Sequence, residues 1–468
     1  MSSLKFGTSG LRGLVTDLVG EPSFRWASAF LAHLDRPDAV FVGRDLRSSS
    51  PQIAADCIAA AQAAGVEAVD CGALPTPALA LAAMKAQAPA IMVTGSHIPD
   101  DRNGLKFYRA EGEIGKDDEA GILACFAEIE RASPARTDAT SAARTLDALE
   151  PYRRRYADFF GGDALSGLRI GVYQHSTVMR DVLVDLIEAL GGTAAPLGRA
   201  DSFIPVDTEA HRPEDVRQIA EWAASGEFDA FVSADGDADR PLVADEHGHI
   251  LRGDVLGLLT ARHLGLRTIV TPVTSSAAVD TSGVASRVVR TKVGSPFVIA
   301  GMVEAAARGA TDIAGFEANG GFLLYSPIER DGQQLDALPT RDAMLPILSV
   351  LAEARAKGAS LGALVDGLEA GHAAAHRLQD VPADRSGPFL DRLANDAAWR
   401  ASFLAPAGVV AEVDALDGVR SVLADGSTVH FRASGNAPEL RCYVEAASTE
   451  KARELLQWGL AAAEKEVR

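Results

Sequence analysis

Residues 88–104 read APAIMVTGSHIPDDRNG, and the rest of the chain repeats the pattern that they set. An apolar run of strand length, Ala88–Val93, passes into a loop that is dense in Gly, Ser, Asp and Asn. Strands buried in an α/β sheet have this composition, and the loops at their carboxyl ends commonly form the binding site. The stretch therefore predicts a buried strand followed by a functional loop.

Three more apolar runs are followed by loops of the same kind. They are Phe228–Val232 before SADGDADR, Ala310–Ala314 before GFEANGG, and Val429–Phe431 before RASGNAP. Because the four loops are spread along the chain, they predict one cleft that several domains assemble.

Helical and strand segments alternate between these loops. The predicted strands include Val40–Val42, Val66–Val69 and Leu168–Tyr173, and the predicted helices include Val182–Leu190 and Pro213–Ala224. This alternation is typical of α/β domains with mostly parallel sheets.

Domain boundaries are predicted near residues 147, 251 and 370, where polar or glycine-containing segments interrupt the alternation. A length of 468 residues suggests about three domains, with two to four consistent with it. The segment His372–Asp384 is polar and is predicted to be irregular. Beyond it, a hairpin signal at Asp425-Gly426 and a long helix over Thr449–Val467 predict an α+β domain.

The formal net charge of −19 argues against a general nucleic-acid or anionic-membrane binder, since both partners attract basic surfaces. The N-terminal residues lack the features of a signal peptide, and no apolar run approaches the ~18 residues of a membrane span. We expect a cytoplasmic protein.

The loop after Val93 suits phosphoryl chemistry. Ser96 is flanked by glycine on one side and His97 on the other, and Lys106 follows close by. The nucleophile elbow of α/β-hydrolases is absent, because Thr94 and Ile98 stand where its glycines belong. Taken alone, the loop is better explained as a plain turn.

Three carboxylates alternate along the second loop, at Asp235, Asp237 and Asp239. Oxygen ligands at this spacing suit Mg²⁺, and the adjacent Arg240 is placed for a phosphate. An EF-hand is excluded because Arg240 occupies the sixth position, where that loop needs glycine. The alternative is an acidic turn exposed to water.

Further loops carry groups for anions and hydroxyls. Arg432, Ser434, Gly435 and Asn436 could form an anion-binding loop, and Glu317 with Asn319 could hydrogen-bond a sugar. Lys292 could bind phosphate, and Arg12 lies in the glycine-rich segment FGTSGLRG. Each has a turn or a solvated charge as its alternative. The segment Gly43-Arg44-Asp45-Leu46-Arg47 is interpreted as containing a structural salt bridge.

Together the loops indicate Mg²⁺-dependent phosphoryl transfer. Neither a P-loop nor the kinase motif set is present, so a nucleotide donor is not indicated and an internal phosphoryl donor is expected.

The chain resembles the α-D-phosphohexomutase family, in particular its bacterial phosphomannomutase/phosphoglucomutase members. The resemblance rests on five motifs in this order: FGTSGLRG, TGSHIP with NGLK, DGDADR, the Glu317 loop and RASGNAP. The resemblance implies three related α/β units with mixed or parallel sheets and a C-terminal α+β domain around a central cleft. The corresponding ranges are 1–147 with the phosphoserine loop, 148–251 with the Mg-binding loop, 252–370 with the sugar-binding loop and 371–468 with the phosphate clamp.

The resemblance also implies roles for single residues. Ser96 would be carried as phosphoserine and would share Mg²⁺ with the three aspartates. The catalytic set would be Ser96, His97, Lys106 and Arg12, and the substrate-binding set Arg240, Lys292, Glu317, Asn319, Arg432, Ser434, Gly435 and Asn436.

The implied enzyme is an isomerase of carbohydrate metabolism that interconverts hexose 1-phosphate and hexose 6-phosphate through a 1,6-bisphosphate. Phosphomannomutase is the first expectation, phosphoglucomutase the second, and phosphoglucosamine mutase the third because the loop reads TGSH rather than SASH. A phosphatase that uses Asp235 as nucleophile and a non-catalytic sugar-phosphate binder are the remaining alternatives.

The chain departs from the family where Ala318–Gly321 lack the usual serine and histidine, where Asn436 replaces threonine, and where Ser295-Pro296 replaces a histidine. A monomer or homodimer is expected.

Overall fold

The computed structural model describes residues 3–7, 10–132, 142–434 and 438–468. Within these ranges the chain forms four sheets of four or more strands and one separate two-stranded hairpin. The sheets follow one another along the sequence, so each is described as one unit.

The first unit is a sheet with helices on both of its faces. Its strands are β1 (Lys5–Gly7), β2 (Gly10–Leu14), β3 (Ala39–Arg44), β4 (Glu67–Ala73), β5 (Ala90–Val93), β6 (Arg102–Arg109), β7 (Gly112–Glu113) and β8 (Arg144–Thr145). Its helices are α1 (Val15–Leu18), α2 (Glu21–His33), α3 (Ser50–Ala63), α4 (Thr76–Lys85) and α5 (Lys116–Ala132). The strand order is β1-β2-β6-β5-β3-β4-β8, with β7 beside β6.

The second unit is smaller. Its elements are α6 (Leu149–Phe160), β9 (Arg169–His175), α7 (Arg180–Ala189), β10 (Thr193–Arg199), α8 (Pro213–Ala223), β11 (Ala230–Ala234) and β12 (Pro241–Ala244). The strand order is β10-β9-β11-β12. Gly191, with a φ of +81°, follows α7 and ends it, as the sequence predicts.

The third unit repeats this plan and extends it by one strand. Its elements are α9 (Gly253–Leu264), β13 (Thr268–Pro272), α10 (Ala278–Thr281), β14 (Arg287–Thr291), α11 (Ser295–Ala307), β15 (Ile313–Phe316), β16 (Phe322–Leu324), β17 (Ile328–Arg330), β18 (Gln333–Leu335), β19 (Leu338–Asp342), α12 (Met344–Lys357) and α13 (Leu361–Asp366). The order is β14-β13-β15-β16-β19, and β17 pairs only with β18.

These three units share one arrangement of four strands. In β4-β3-β5-β6, β10-β9-β11-β12 and β14-β13-β15-β16 the first three strands are parallel and the fourth is antiparallel. The three related α/β units expected from the sequence are therefore present, with sheets that are mixed rather than wholly parallel. In every unit the predicted functional loop connects the third of these strands to the fourth, so the repeat places the three loops equivalently.

The fourth unit is an antiparallel sheet with helices, as predicted. Its elements are β20 (His372–Gln379), α14 (Ala383–Asn395), α15 (Ala397–Leu404), β21 (Val410–Asp414), β22 (Val419–Leu423), β23 (Thr428–Ala433), β24 (Glu439–Ala446) and α16 (Thr449–Val467). The strand order is β20-β24-β23-β22-β21.

One expectation for this unit is wrong. The segment His372–Asp384, predicted to be irregular, contains β20, which pairs with β24 over its whole length. Its residues are mostly exposed because the strand lies at the sheet edge, so the apolar alternation of a half-buried strand is missing.

One cluster of buried apolar side chains runs through the first three units, and each of these units also has a smaller cluster of its own. Phe41, Val172 and Phe316 belong to the shared cluster, and its members extend from Phe41 to Leu368. The fourth unit has its own cluster around Phe389 and Phe431. Among the described helices, none combines the length and the hydropathy that crossing a membrane requires.

Candidate active site

Ser96 lies in the connection between β5 and β6 and is fully buried. Its φ of +55° is in the left-handed region, which few residues other than glycine adopt. The backbone N–H donates to the Thr94 hydroxyl at 2.8 Å, and the Ser96 hydroxyl donates to Oδ2 of Asp235 at 2.5 Å. The loop thus presents this hydroxyl to the second unit.

The guanidinium of Arg47 holds the Ser96 loop in this shape. The side chain is buried, and its Nε lies 3.2 Å from Oδ2 of Asp45. The ion pair that the sequence predicts is therefore present. The other nitrogens donate to four backbone carbonyls of the loop, those of Ser96 (3.0 Å), Ile98 (2.5 Å), Pro99 (2.7 Å) and Arg102 (3.0 Å).

The loop that carries the aspartates closes tightly against the Ser96 loop. The Asp235 N–H donates to the Arg240 carbonyl at 3.0 Å, and Ala238 has a φ of +61°. A Cβ on Gly236 would lie 2.8 Å from the Ser96 carbonyl oxygen. Glycine is needed here because any side chain would push the two loops apart.

Asp235, Asp237 and Asp239 form a buried carboxylate cluster, in which one ligand oxygen from each lies within 4.8 Å of the others. Burial and then the charges of Asp237 and Asp239 raise the pKa of Asp235 to about 8. Such a cluster requires positive charge close by.

Three cations supply it. Lys106 Nζ lies 2.5 Å from Oδ2 of Asp237 and 2.5 Å from Oδ2 of Asp239. Arg341 Nη2 lies 3.0 Å from Oδ2 of Asp239, and Arg240 Nε lies 3.6 Å from its Oδ1. Burial raises the pKa of Asp239, but the nearby Arg341, Lys106 and Arg240 outweigh it and hold that pKa well below the usual value.

The cluster fits a metal ion. Oδ1 of Asp237 and Oδ1 of Asp239 are buried and accept no hydrogen bond. Unpaired buried carboxylate oxygens are costly, and they are the ligands that hard divalent cations prefer. Within the described parts of the chain, this is the one group of three His, Cys, Asp or Glu side chains close enough to share an ion.

His97 lies between the Ser96 hydroxyl and Arg240. Its Nδ1 is 3.1 Å from Ser96 Oγ and 3.1 Å from Arg240 Nη1. Burial and then the charge of Arg240 lower the pKa of His97 to about 3. The imidazole is therefore neutral near pH 7, with Nδ1 as an acceptor.

Arg12 borders the same cluster from β2, where it is paired with Gly104 of β6. Burial and then the charge of Arg240 lower the pKa of Arg12 to about 10, against the attraction of Asp237. A guanidinium with this pKa stays positive at neutral pH.

The predicted sugar loop joins β15 to β16 and is also buried. Oε2 of Glu317 lies 3.8 Å from Nη1 of Arg341 and accepts from Asn319 Nδ2 at 3.5 Å. Oδ1 of Asn319 accepts the Gly321 N–H at 3.0 Å, and the Asn319 carbonyl accepts the Thr208 hydroxyl at 2.8 Å. The second unit thus helps to hold the loop of the third.

Arg432 and the loop that carries Lys292 contact the same carboxylate, that of Asp417. Arg432 Nε donates to Oδ2 of Asp417 at 2.8 Å, and the same oxygen accepts the N–H of Val293 at 2.9 Å. Lys292, which precedes Val293, is exposed. The fourth unit is therefore joined to the loop of the third unit that carries Lys292.

Of the other candidate residues of the predicted phosphate-binding loop, only Ser434 lies within the described residues. The Ser434 N–H donates to the Glu439 carbonyl at 2.9 Å. Gly435 and Asn436 lie outside the described residues.

The structure thus brings most of the predicted residues into one site. Hydrogen bonds, ion pairs and charge interactions connect Ser96, His97, Lys106, Arg12, Asp235, Asp237, Asp239, Arg240, Glu317 and Asn319. In the described part of the chain no hydrogen bond or ion pair joins Lys292 or Arg432 to this group. Arg432 is bonded to Asp417 instead, and Lys292 lies next to Val293, whose N–H donates to the same carboxylate.

Sequence reasoning missed two residues of the site. Arg341, on β19, lies against Asp239 and Glu317, and Thr76 donates to Oδ2 of Asp237 at 2.5 Å. Thr76 carries no recognisable signal. Arg341 carries a weak one, since it is a charged residue just before the wholly buried start of α12.

Three segments match known family models. Residues 3–133 match the phosphoglucomutase/phosphomannomutase alpha/beta/alpha domain I, residues 252–370 match domain III, and residues 392–457 match the C-terminal domain of the same family.

Two curated phosphomannomutases are similar over nearly the full length. The protein from Sinorhizobium fredii is 48% identical over 98% of this chain and 98% of its own, and the one from Salmonella muenchen is 42% identical over 97% and 95%. The X-ray structure of a phosphoglucomutase/phosphomannomutase family protein from Burkholderia thailandensis has a TM-score of 0.77 and 23% identity, with 98% of each chain covered. The overall fold is thus shared with that protein.

Proposed function

We propose a phosphomannomutase reaction at this site, from the premise that the chain belongs to the phosphoglucomutase/phosphomannomutase family of α-D-phosphohexomutases. Membership makes the protein an isomerase that acts on hexose phosphates. The proposal assigns the sugar, the phosphoryl carrier, the metal and the role of each residue.

Ser96 is assigned as the phosphoryl carrier. The observation that carries the proposal is the 2.5 Å hydrogen bond from the Ser96 hydroxyl to Asp235, because it brings this oxygen into contact with the carboxylate cluster. A phosphoryl group on this oxygen would lie beside His97, Lys106 and Arg12. Their positive charges or hydrogen bonds stabilise charge on the transferring group, and His97 and Lys106 are candidates for proton transfer.

Mg²⁺ is assigned to Asp235, Asp237 and Asp239, together with an oxygen of phosphorylated Ser96. When bound there, it supplies positive charge close to the transferring phosphoryl group. The unpaired oxygens of Asp237 and Asp239 support this assignment.

The transfer takes two steps. In the first, the bond between phosphorus and Ser96 Oγ breaks while the free sugar hydroxyl forms a bond to phosphorus and gives its proton to neutral His97. The bisphosphate then turns over in the cleft. In the second step, the bond between its other phosphorus and the sugar oxygen breaks, Ser96 Oγ forms the new bond to that phosphorus, and the sugar oxygen takes the proton from His97. Positioning and charge neutralisation supply most of the catalysis in such reactions.

The substrate-binding set completes the proposal. Glu317 and Asn319 accept and donate hydrogen bonds to sugar hydroxyls, and Arg240 lies where a phosphate would approach His97. Lys292, Arg432, Ser434, Gly435 and Asn436 bind the phosphate that does not react. The common contact of Arg432 and the Lys292 loop with Asp417 supports a single phosphate-binding region between the third and fourth units.

Mannose phosphate is the proposed sugar, because the two curated relatives described above, at 48% and 42% identity, are named phosphomannomutase. Phosphoglucomutase and phosphoglucosamine mutase activities remain the second and third candidates. A cytoplasmic location and a monomeric or homodimeric state stay predictions.

The test combines turnover with site mapping. A coupled assay on mannose, glucose and glucosamine phosphates, with a catalytic amount of bisphosphate, is expected to give the highest kcat/KM for mannose. Intact-mass and peptide analysis should place one phosphoryl group on Ser96. Ser96→Ala should abolish both, and Ser225→Ala, at an exposed serine, should change neither. Phosphate on an aspartate would indicate a phosphatase, and binding without turnover a non-catalytic protein; either result contradicts the proposal.

A further inference from the structure

Arg341 is a fully buried cation that touches all three α/β units. It lies near the end of β19 with a side-chain exposure of 2%. Its three acidic neighbours come from three different sheets. They are Glu113 on β7, with Oε1 3.8 Å from Nε, Asp239 after β11, with Oδ2 3.0 Å from Nη2, and Glu317 after β15, with Oε2 3.8 Å from Nη1.

The space for this side chain is provided by the sugar loop itself. A Cβ on Gly321 would lie 2.8 Å from Cδ and 2.8 Å from Cγ of Arg341. The aliphatic part of Arg341 therefore packs directly on the backbone of the loop that carries Glu317. Any movement of this loop must move the guanidinium, and the reverse holds as well.

The strand end that carries Arg341 is fixed from behind. The neighbouring Asp342 accepts hydrogen bonds from the hydroxyls of Tyr152 and Tyr156 on α6 and from the N–H of Met344. Arg341 is thus presented from a rigid support. The rigid support fixes where this positive charge lies relative to the three carboxylates.

The guanidinium retains unused hydrogen-bonding capacity. Nε and Nη2 are buried and make no hydrogen bond of good geometry, although Nη2 lies close to Asp239. The interaction with the carboxylates is mainly one of charge. If one carboxylate loses its charge or moves, the guanidinium is attracted more strongly toward the other two, and its contacts with them change.

We propose that Arg341 is a positioning residue that couples sugar recognition by Glu317 to the Asp239 end of the carboxylate cluster. The inference rests on the proposed function for the identity of the sugar phosphate. Arg341 itself need not touch the substrate. It keeps Glu317 oriented for a sugar hydroxyl only while Asp239 is in place, so that binding and transfer share one geometry.

The test is a double-mutant cycle on ligand binding. Arg341→Met, Glu317→Gln and the double variant are made in the Ser96→Ala background, where no transfer occurs, and the Kd for mannose 6-phosphate is measured by calorimetry. Each single change is expected to weaken binding about tenfold. If Arg341 acts through Glu317, the double variant should also lose about tenfold rather than about a hundredfold.

Two further variants separate positioning from folding. Arg262→Met removes a partly buried arginine of the same unit that pairs with Glu353, away from the cleft. In a double-mutant cycle of Arg262→Met with Glu317→Gln, the two changes in binding free energy should add. Arg341→Lys keeps the charge and should fold; it should recover part of the binding lost in Arg341→Met, and kcat and KM measured with Ser96 present should both change.

The outcomes are distinct. Additive effects in the Arg341–Glu317 cycle, or a Kd in Arg341→Lys and Arg341→Met equal to that of the parent, would overturn the inference while leaving the proposed function intact. A parent protein that neither binds nor converts any of the three sugar phosphates would instead overturn the proposed function.

Discussion

The hydroxyl of Ser96 donates a 2.5 Å hydrogen bond to Oδ2 of Asp235, although 139 positions separate the two residues. One lies in the first unit and the other in the second. The site therefore exists only when the two units are packed together. Gly236 permits this approach, since a side chain there would collide with the Ser96 carbonyl.

The first prediction concerns Lys106, which neutralises the same carboxylates that would hold a divalent cation. Lys106→Met should lower the melting temperature in the presence of a chelator, because buried carboxylates without a countercharge cost about 3–5 kcal/mol. Added Mg²⁺ should restore more stability to the variant than it adds to the parent. Differential scanning calorimetry with and without Mg²⁺ measures both, and Lys116→Met, at an exposed pair with Glu119, is the control. An equal Mg²⁺ response in variant and parent would contradict this account.

The second prediction concerns Arg47. Arg47→Met removes the guanidinium donor from four backbone carbonyls. The Pro99 carbonyl keeps the N–H of Arg102 at 3.1 Å, and each buried carbonyl that is left without a donor costs about 1–3 kcal/mol. We expect the free energy of unfolding to fall by at least about 3 kcal/mol and kcat to fall with it, because the Ser96 loop loses its shape. Arg47→Lys should lie between parent and Met variant. Urea unfolding and steady-state kinetics test this, with Arg154→Met at an exposed arginine as the control. An unchanged kcat in a folded Arg47→Met protein would show that the loop holds its shape alone.

The third prediction concerns the tyrosines on α6. Tyr152 donates to Oδ1 of Asp342 at 2.6 Å, and Tyr156 donates to Oδ2. Tyr156→Phe should reduce the free energy of unfolding by about 1–3 kcal/mol, since Oδ2 of Asp342 loses its side-chain donor, and Tyr152→Phe should reduce it less, because Oδ1 keeps the N–H of Met344. Each variant keeps one tyrosine on Asp342, so KM and kcat should change less than they do in Arg341→Met. A stability equal to that of the parent in both variants would argue against a buried charge at Asp342.

The fourth prediction concerns pH. Burial and then the charge of Arg330 lower the pKa of His263 to about 4, and its Nε2 accepts a hydrogen bond from Arg330 Nη1 at 3.0 Å. A folded-state pKa below the unfolded value of about 6.5 means that this stabilisation is complete above about pH 6.5 and is lost as the pH falls toward 4.

His263→Gln isolates this effect, because glutamine can accept the same hydrogen bond and does not titrate. Between pH 7 and pH 5 the parent should lose up to about 2 kcal/mol more of its unfolding free energy than the variant. Urea unfolding at the two pH values provides the comparison. If the free energy of unfolding falls equally in both proteins, the His263 ring takes up its proton in the folded state as readily as in the unfolded state.

Much of the fold and the site could be predicted because the signals are local. Ser96 and the three aspartates lie in short loops after apolar strands, and α16 begins and ends where its sequence pattern does. The edge strand β20 differs from the prediction of irregular chain, because only Ala374 and Leu378 on one of its faces are partly buried and its sequence therefore lacks a clear apolar alternation. Arg341 was missed because its partners, Glu113, Asp239 and Glu317, are distant in sequence and only the assembled sheets reveal them.

The continuity of the apolar interior has a mechanical consequence. One hydrophobic cluster links the first three sheets, whereas the last sheet encloses a cluster of its own. The described bonds between Asp417 and Val293, and between Glu445 and Ser276, are polar and can exchange with water. An outward movement of the C-terminal sheet therefore exposes little apolar surface. Separating any two of the first three sheets would instead expose the apolar cluster that they share. We therefore expect the C-terminal sheet to move as a rigid body, and its outward movement to give a doubly phosphorylated sugar the space to reorient.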